Sequence, residues 1–301
     1  MNADCGARFP VANYNLAATL TSGQVFRWQQ QAQGWEGVIG RRWVRLRADQ
    51  QGITAETAEP VGDWRWLADY LQVDADLDRI LTTFPEDAPM RAAVAACRGL
   101  RLLRQDPWEC LASFILSSTK QIVQIQQIVA QLCKRYGEPV AVPSDRTPAF
   151  AFPSADRLAE SSEARLRACK MGFRAGYLLE AARQVAAGGI RLEALAGQAI
   201  ETARAELMKL PGVGRKIADC VLLFAYGFAA AFPVDVWVMK ALRQLYFAHR
   251  RPTPKALRRF ADTHFGPNAG YAQQYLFHYV RSRSRAAGLR LRNQILRVQP
   301  G

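Results

Sequence analysis

The spacing of apolar residues changes once along this chain, near Val61, and that change limits the folds open to it. Before it, residues 24–28 (QVFRW), 35–39 (WEGVI) and 43–47 (WVRLR) are short aromatic or alternating runs. Polar or glycine-containing turns (QQQAQG, GRR) separate them, and 52–56 (GITAE) is a further candidate. A period of two predicts strands with one buried face. After Val61 the segments 63–71, 76–84, 108–117, 122–132, 177–186, 203–210 and 217–226 carry apolar residues at helical spacing. The expected fold class is α+β: a small antiparallel β-rich N-terminal domain over residues 1–97, with flanking helices, followed by a larger all-helical body over 98–301. At roughly 150 residues per domain, a chain of 301 residues fits two such units and buries a core without disulfide or metal staples.

Charge is concentrated at one end. Residues 236–301 hold 13 Lys/Arg and one acid, Asp262, whereas the rest of the chain is close to neutral. A basic end on a globular chain points to a polyanion, nucleic acid first; a solvated basic tail is the bland alternative. The longest apolar run, 220–232, is too short to span a bilayer and stops at Pro233. The N-terminus has no basic region followed by an apolar stretch, so the protein is expected to be unsecreted, in a bacterial cytoplasm or a nucleus. Six cysteines without a C-x-x-C pair are expected to be reduced thiols.

The most informative stretch is 207–240, LMKLPGVGRKIADCVLLFAYGFAAAFPVDVWVMK. A helix ends near Lys209, Pro211 blocks its continuation, Gly212 and Gly214 allow a tight turn with positive φ, and a second helix begins near Arg215. Backbone N–H groups at that second helix start form a ready phosphate site. Lys216 lies in the first helical turn beside an apolar run. Helix dipole and desolvation there both favour a free amine able to act as a nucleophile. Asp235, nineteen residues on, is a carboxylate that can stabilise a developing positive charge or act simply as an N-cap. A phosphate contact is the plain alternative for Lys216.

The hairpin at 207–226, with Lys216 and Asp235, resembles the bifunctional members of the helix-hairpin-helix DNA glycosylase superfamily. The resemblance sharpens to the 8-oxoguanine DNA glycosylase/AP lyase family in TLTSGQVFRW near the N-terminus, GLRLLRQDPWEC at 99–110, KMGFR at 170–174 and FGPNAGYAQ at 265–273. It implies excision of 8-oxoguanine from double-stranded DNA by a lysine Schiff base, then strand cutting by β-elimination. It also implies a monomer needing no cofactor and no membrane. By position, the Gly23 carbonyl would accept from N7–H of the lesion, Gln273 would read the flipped base's Watson–Crick edge, Phe277 would stack on it, and Cys220 would lie against its other face. Core packing alone is the alternative for Phe277 and Cys220. The carbonyls of Met208, Leu210 and Val213 match positions that hold a monovalent cation in the superfamily.

The chain also departs from the family pattern. The usual asparagine run is Thr119-Lys120-Gln121. Of two arginines that grip the opposite cytosine, Arg174 is present and the other position holds Gln124. The wedging tyrosine is Phe173, and the histidine two after the aspartate is Trp237. Glutamine both donates and accepts, whereas arginine presents a fixed fork of donors, so discrimination for cytosine is expected to be relaxed. Two other readings are an oxidised-pyrimidine glycosylase/lyase and a non-catalytic hairpin DNA-binding protein. The four-cysteine iron–sulfur cluster common in the first group cannot form, because no cysteine follows Cys220.

Overall fold

The computed structural model describes residues 4–298 apart from 119, 248, 249 and 251, with side chains described up to residue 284 except that of 254. Five strands, β1 (Asp4–Phe9), β2 (Gln29–Gln31), β3 (Gly34–Ile39), β4 (Arg42–Asp49) and β5 (Gly52–Val61), form one sheet in the order β1-β5-β4-β3-β2. Every neighbouring pair is antiparallel. Val44, Leu46, Ile53 and Ala55 pack from its inner face onto Trp28, Leu67, Leu71 and Leu103. Arg45 lies between its two ladder partners, bonding Glu36 at 3.0 Å and Glu56 at 2.9 Å.

Two expectations for this region need correction. Residues 24–28 are not a strand. Their backbone is held by a buried carboxamide: Gln24 Nε2 donates to the carbonyls of Thr19 and Arg101, and Gln24 Oε1 accepts from Leu103 N at 2.8 Å. A side chain so fully bonded in the interior replaces the ladder that period-two patterning predicts. Conversely, the glutamines read as a turn form β2, an edge strand exposed on both faces and so without apolar alternation.

The helices are α1 (Leu16–Thr21), α2 (Arg65–Leu71), α3 (Leu77–Leu81), α4 (Ala88–Cys97), α5 (Pro107–Leu116), α6 (Ile122–Tyr136), α7 (Ala155–Ala159), α8 (Glu163–Leu166), α9 (Arg174–Ala186), α10 (Ile200–Leu207), α11 (Arg215–Val221), α12 (Val236–Tyr246), α13 (Pro254–His264) and α14 (Ala269–Val298). Helix α5 starts at an Asp106 cap with Pro107 in its first turn and is buried without interruption from Cys110 to Leu116. A helix apolar all round belongs at the centre of a bundle, and the other helices surround it. Residues 77–97, grouped with the sheet in the sequence reading, contribute Leu77, Phe84, Met90, Ala93 and Cys97 to this helical core.

Helix α14 joins the two parts. Gln274 donates to the Ser22 carbonyl at 3.0 Å and Tyr275 OH donates to the Leu100 carbonyl at 3.1 Å. These bonds bring the turn at Gly23 against the face of α14 that carries Gln273 and Phe277. All six cysteines are free thiols. Among the described residues no helix is long and apolar enough to cross a membrane.

Candidate active site

The hairpin forms where the sequence places it. Helix α10 ends at Met208, Val213 N closes the turn onto the Leu210 carbonyl at 3.1 Å, and α11 begins at Arg215. Only one of the two glycines needs positive φ. Gly212 has φ +79, and a Cβ there would meet the Tyr177 ring at 2.5 Å, so the turn seats directly on α9. Gly214 is extended instead (φ −87) and faces open space, which leaves the backbone approachable from outside. A buried ion pair, Arg204 Nε to Asp219 Oδ1 at 2.6 Å, ties α10 to α11. Removing one partner of such a pair would strand a charge in the interior.

Lys216, in the first turn of α11, reaches towards α5. Its Nζ donates to Ser117 Oγ at 3.1 Å and lies 5.1 Å from the centre of the Phe114 ring. Cys220, one turn on, is buried beside it, and burial pushes its thiol up to about 12, so it stays protonated. A neutral thiol does not compete with the amine as a nucleophile.

Asp235 follows Pro233 and caps α12, accepting from Val238 N at 2.8 Å. Burial raises its carboxyl above the usual aspartate range. The backbone N–H of Val238 and the nearby Lys216 pull in the opposite direction. The two readings of Asp235, cap and cavity carboxylate, are therefore both physical: it caps α12 and lines the cavity.

These groups share one cavity of about 330 Å³. Gly23, Lys216, Cys220, Asp235, Gln273 and Phe277 all line it, although they come from four separate parts of the chain. Gly23 has φ +82, and a Cβ on it would stand 2.7 Å from Ile122 Cδ1 and 3.3 Å from Phe277 Cε1. Any larger residue would close that wall. Gln273 is only 4% exposed, yet its Oε1 has no hydrogen-bond partner among the described residues. A buried, unpaired carboxamide oxygen is costly unless something enters to bond it. The cavity combines apolar walls with directed polar groups, as small-molecule pockets do.

The other expected residues lie around this cavity. Thr119 falls outside the described residues. Gln124 is exposed, and its Oε1 accepts from Gln121 N at 3.1 Å, which caps α6. Phe173 is 57% exposed and packs edge-on against Tyr177, which itself lies under the hairpin. Arg174 is buried, donates to the carbonyls of Ser118 and Met171, and stacks on Phe173 at 4.4 Å. Met208 is exposed, whereas Leu210 and Val213 are buried. Trp237 lines the cavity, with Lys240 Nζ 5.2 Å from its ring centre. Sequence reasoning missed Phe114 and Ser117, which hold the lysine amine. It also missed Lys120, Gln121 and Ile122 as cavity wall and Arg281 at the Phe277 side. Among the described residues no group of three His, Cys, Asp or Glu is placed to hold a metal.

Known proteins resemble both halves of this chain. Residues 7–111 match the family described as 8-oxoguanine DNA glycosylase, N-terminal domain. Residues 112–266 match the HhH-GPD superfamily base excision DNA repair protein family. The chain is 32% identical over 283 residues to an N-glycosylase/DNA lyase of Arabidopsis thaliana, covering 87% of this chain and 76% of that one. It is 31% identical to an N-glycosylase/DNA lyase of Saccharomyces cerevisiae, covering 77% and 68%. A crystal structure of Clostridium acetobutylicum 8-oxoguanine glycosylase/lyase, bound to double-stranded DNA with cytosine opposite 8-oxoguanine, superposes with a TM-score of 0.86 at 30% identity. That match spans 94% of this chain and all of the other. With both halves of the chain matched in this way, the protein belongs to the 8-oxoguanine DNA glycosylase family of the HhH-GPD superfamily.

Proposed function

We infer that this chain is a bifunctional DNA repair enzyme that excises 8-oxoguanine from double-stranded DNA and then cuts the strand at the emptied site. The observation that carries the reading is the convergence of a lysine amine, a carboxylate and an unpaired buried carboxamide oxygen on one cavity. A base stacked in a duplex hides both its edge and C1′, so the target nucleotide has to swing out into such a cavity. Large apolar side chains exposed among the described residues include Phe173, Met208 and Val236, beside or on the hairpin and the Asp235 helix. They are suited to the duplex and the gap that flipping leaves.

In the cavity, the Gly23 carbonyl accepts N7–H of 8-oxoguanine and repels the N7 lone pair of guanine. Gln273 pairs its free oxygen with the base edge, Phe277 stacks on one face and Cys220 lies against the other. Lys216 attacks C1′ with its lone pair and breaks the bond to N9. Asp235 stabilises the positive charge that develops on the sugar as the base leaves with the bonding electrons. Proton loss from the lysine nitrogen and opening of the sugar ring give a Schiff base. Loss of a C2′ proton then expels the 3′ phosphate. Both steps draw their electrons from the amine and the substrate, so no cofactor is called for.

The hairpin accounts for duplex contact. Gly214 has no side chain to cap α11, and its open outer face leaves the helix-start N–H groups to a phosphate. The carbonyls of Met208, Leu210 and Val213 would hold a monovalent cation between turn and phosphate. Met208 caps a helix end where carbonyls lack intrahelical donors, while the Leu210 carbonyl has one lone pair left after bonding Val213 N.

Borohydride trapping tests the reading. A duplex with one 8-oxoguanine opposite cytosine is expected to yield a covalent adduct, and the undamaged duplex none. Binding without an adduct would favour a non-catalytic DNA-binding protein, and an adduct only with oxidised pyrimidines would move the substrate class.

A further inference from the structure

We propose that Ser117 is a positioning residue for Lys216, setting where the amine stands before it attacks. The proposal rests on the Schiff-base reading above and adds a residue from a different helix. Ser117 caps the C-terminus of α5 and donates its only hydroxyl proton to the Phe114 carbonyl at 2.7 Å. With that proton committed, the oxygen can only accept, and Lys216 Nζ donates to it at 3.1 Å. Phe114, whose ring lies under the same amine, is itself fixed edge-on to Phe26 at 5.5 Å and stacked on Phe224 at 5.6 Å.

Two points on α5 thus define the amine's position, one polar and one aromatic, while its backbone belongs to α11. This matters because lysine has a long flexible stem, and attack requires its nitrogen near C1′ with the lone pair aimed. An acceptor takes an N–H of the amine and not its lone pair. The contact therefore orients the nucleophile without occupying the electrons that form the new bond. Cys220 cannot do this alone, since it lies on the same helix as Lys216 and does not fix the spacing between α5 and α11.

The test uses the full chain with Ser117→Ala, Ser117→Thr and Ser117→Cys. Single-turnover trapping is measured on the 8-oxoguanine duplex and on a duplex with a preformed abasic site, where no base has to leave. Loss of orientation is expected to lower the maximal trapping rate of Ser117→Ala by about tenfold or more on both duplexes, with the half-saturating DNA concentration unchanged. Ser117→Thr, which keeps a hydroxyl on the same carbon, is expected to regain most of that loss, and Ser117→Cys, a poor acceptor, to regain little. A merely structural serine would not give that ranking. Equal maximal rates for Ser117→Ala and wild type, or a threonine variant no better than alanine, would overturn the proposal. Wild-type trapping on the abasic duplex alone would refute the 8-oxoguanine assignment while leaving the Ser117 comparison decisive there. Trapping on neither duplex would refute both.

Discussion

Asp235 carries two roles that one substitution pair can separate. Its carboxylate caps α12 through Val238 N and also lines the cavity near Lys216. Asparagine keeps a cap oxygen and removes the charge, whereas alanine removes both. Losing the cap is worth about 1 kcal/mol, a fall of only about 2–4 °C in Tm for a chain this large. Asp235→Ala should show that fall and Asp235→Asn almost none. Catalysis should rank them differently. A unit charge about 4 Å from a developing cation contributes about 4 kcal/mol at an effective dielectric near 20, or roughly a thousandfold in rate. Both variants should therefore lose about that much single-turnover excision of 8-oxoguanine, although only one is destabilised. The pH dependence adds a second handle. Burial raises this carboxyl above its usual 3.8, so lowering the pH neutralises it earlier than an exposed aspartate and excision fails on the acid side. Stability through this group runs the other way, because the folded state then binds the proton more tightly than the unfolded chain. Asp235→Asn should lack that acid limb. Excision by Asp235→Asn within tenfold of wild type, or equal destabilisation of the two variants, would refute the reasoning.

Lys216→Gln should abolish both the borohydride adduct and strand cutting while retaining lesion binding, measured by gel shift on the 8-oxoguanine duplex; residual adduct would mean another amine reacts. Gly23→Ala should cost about 1–2 kcal/mol in denaturant unfolding, because an L-residue is strained at φ +82. It should also weaken lesion binding, since the added carbon lies 2.7 Å from Ile122 and 3.3 Å from Phe277. Excision rates against all four opposite bases should show cytosine preferred by less than about a hundredfold, or ~2.7 kcal/mol; a larger preference would show that Gln124 does not relax the selection.

What could be read from the sequence was what short-range chemistry determines. Strands β3 to β5 announce themselves by alternation, and the hairpin by Pro211 and Gly212 between two helical patterns. Lys216 and Asp235 lie in the same stretch as that hairpin, but the family resemblance singled them out. Family resemblance, not periodicity, pointed to Gly23, Gln273 and Phe277, which meet only when α14 docks on the Ser22 turn. Ser117 carried no signal, since its contact with Lys216 bridges 99 residues and serines end helices everywhere. The 24–28 segment misled for a related reason. Its aromatic and β-branched residues read as a strand, but the buried Gln24 carboxamide takes the role a ladder would have had.

The departures from the family pattern are not scattered evenly over the site. Gly23, Lys216, Cys220, Asp235, Gln273 and Phe277, which would hold and cut the lesion nucleotide, keep the expected residue types and line a single cavity. The changed positions divide: Thr119, Gln124 and Phe173 belong to the groups assigned to the other strand and the vacated stack, whereas Lys120, Gln121 and Trp237 line the cavity itself. Gln124 and Phe173 have consequences visible in the structure. Gln124 uses one lone pair of its carbonyl oxygen to cap α6, which leaves its amide donors and a single acceptor lone pair for a base. Phe173 lacks a hydroxyl and offers an apolar wedge, with the Arg174 guanidinium stacked on its ring and hydrogen-bonded to backbone carbonyls. Those two bonds hold the guanidinium in place and leave further N–H donors of its five. On the proposed function, substitutions at 124 and 173 should change excision rates across the four opposite bases while leaving 8-oxoguanine excision opposite the best partner intact.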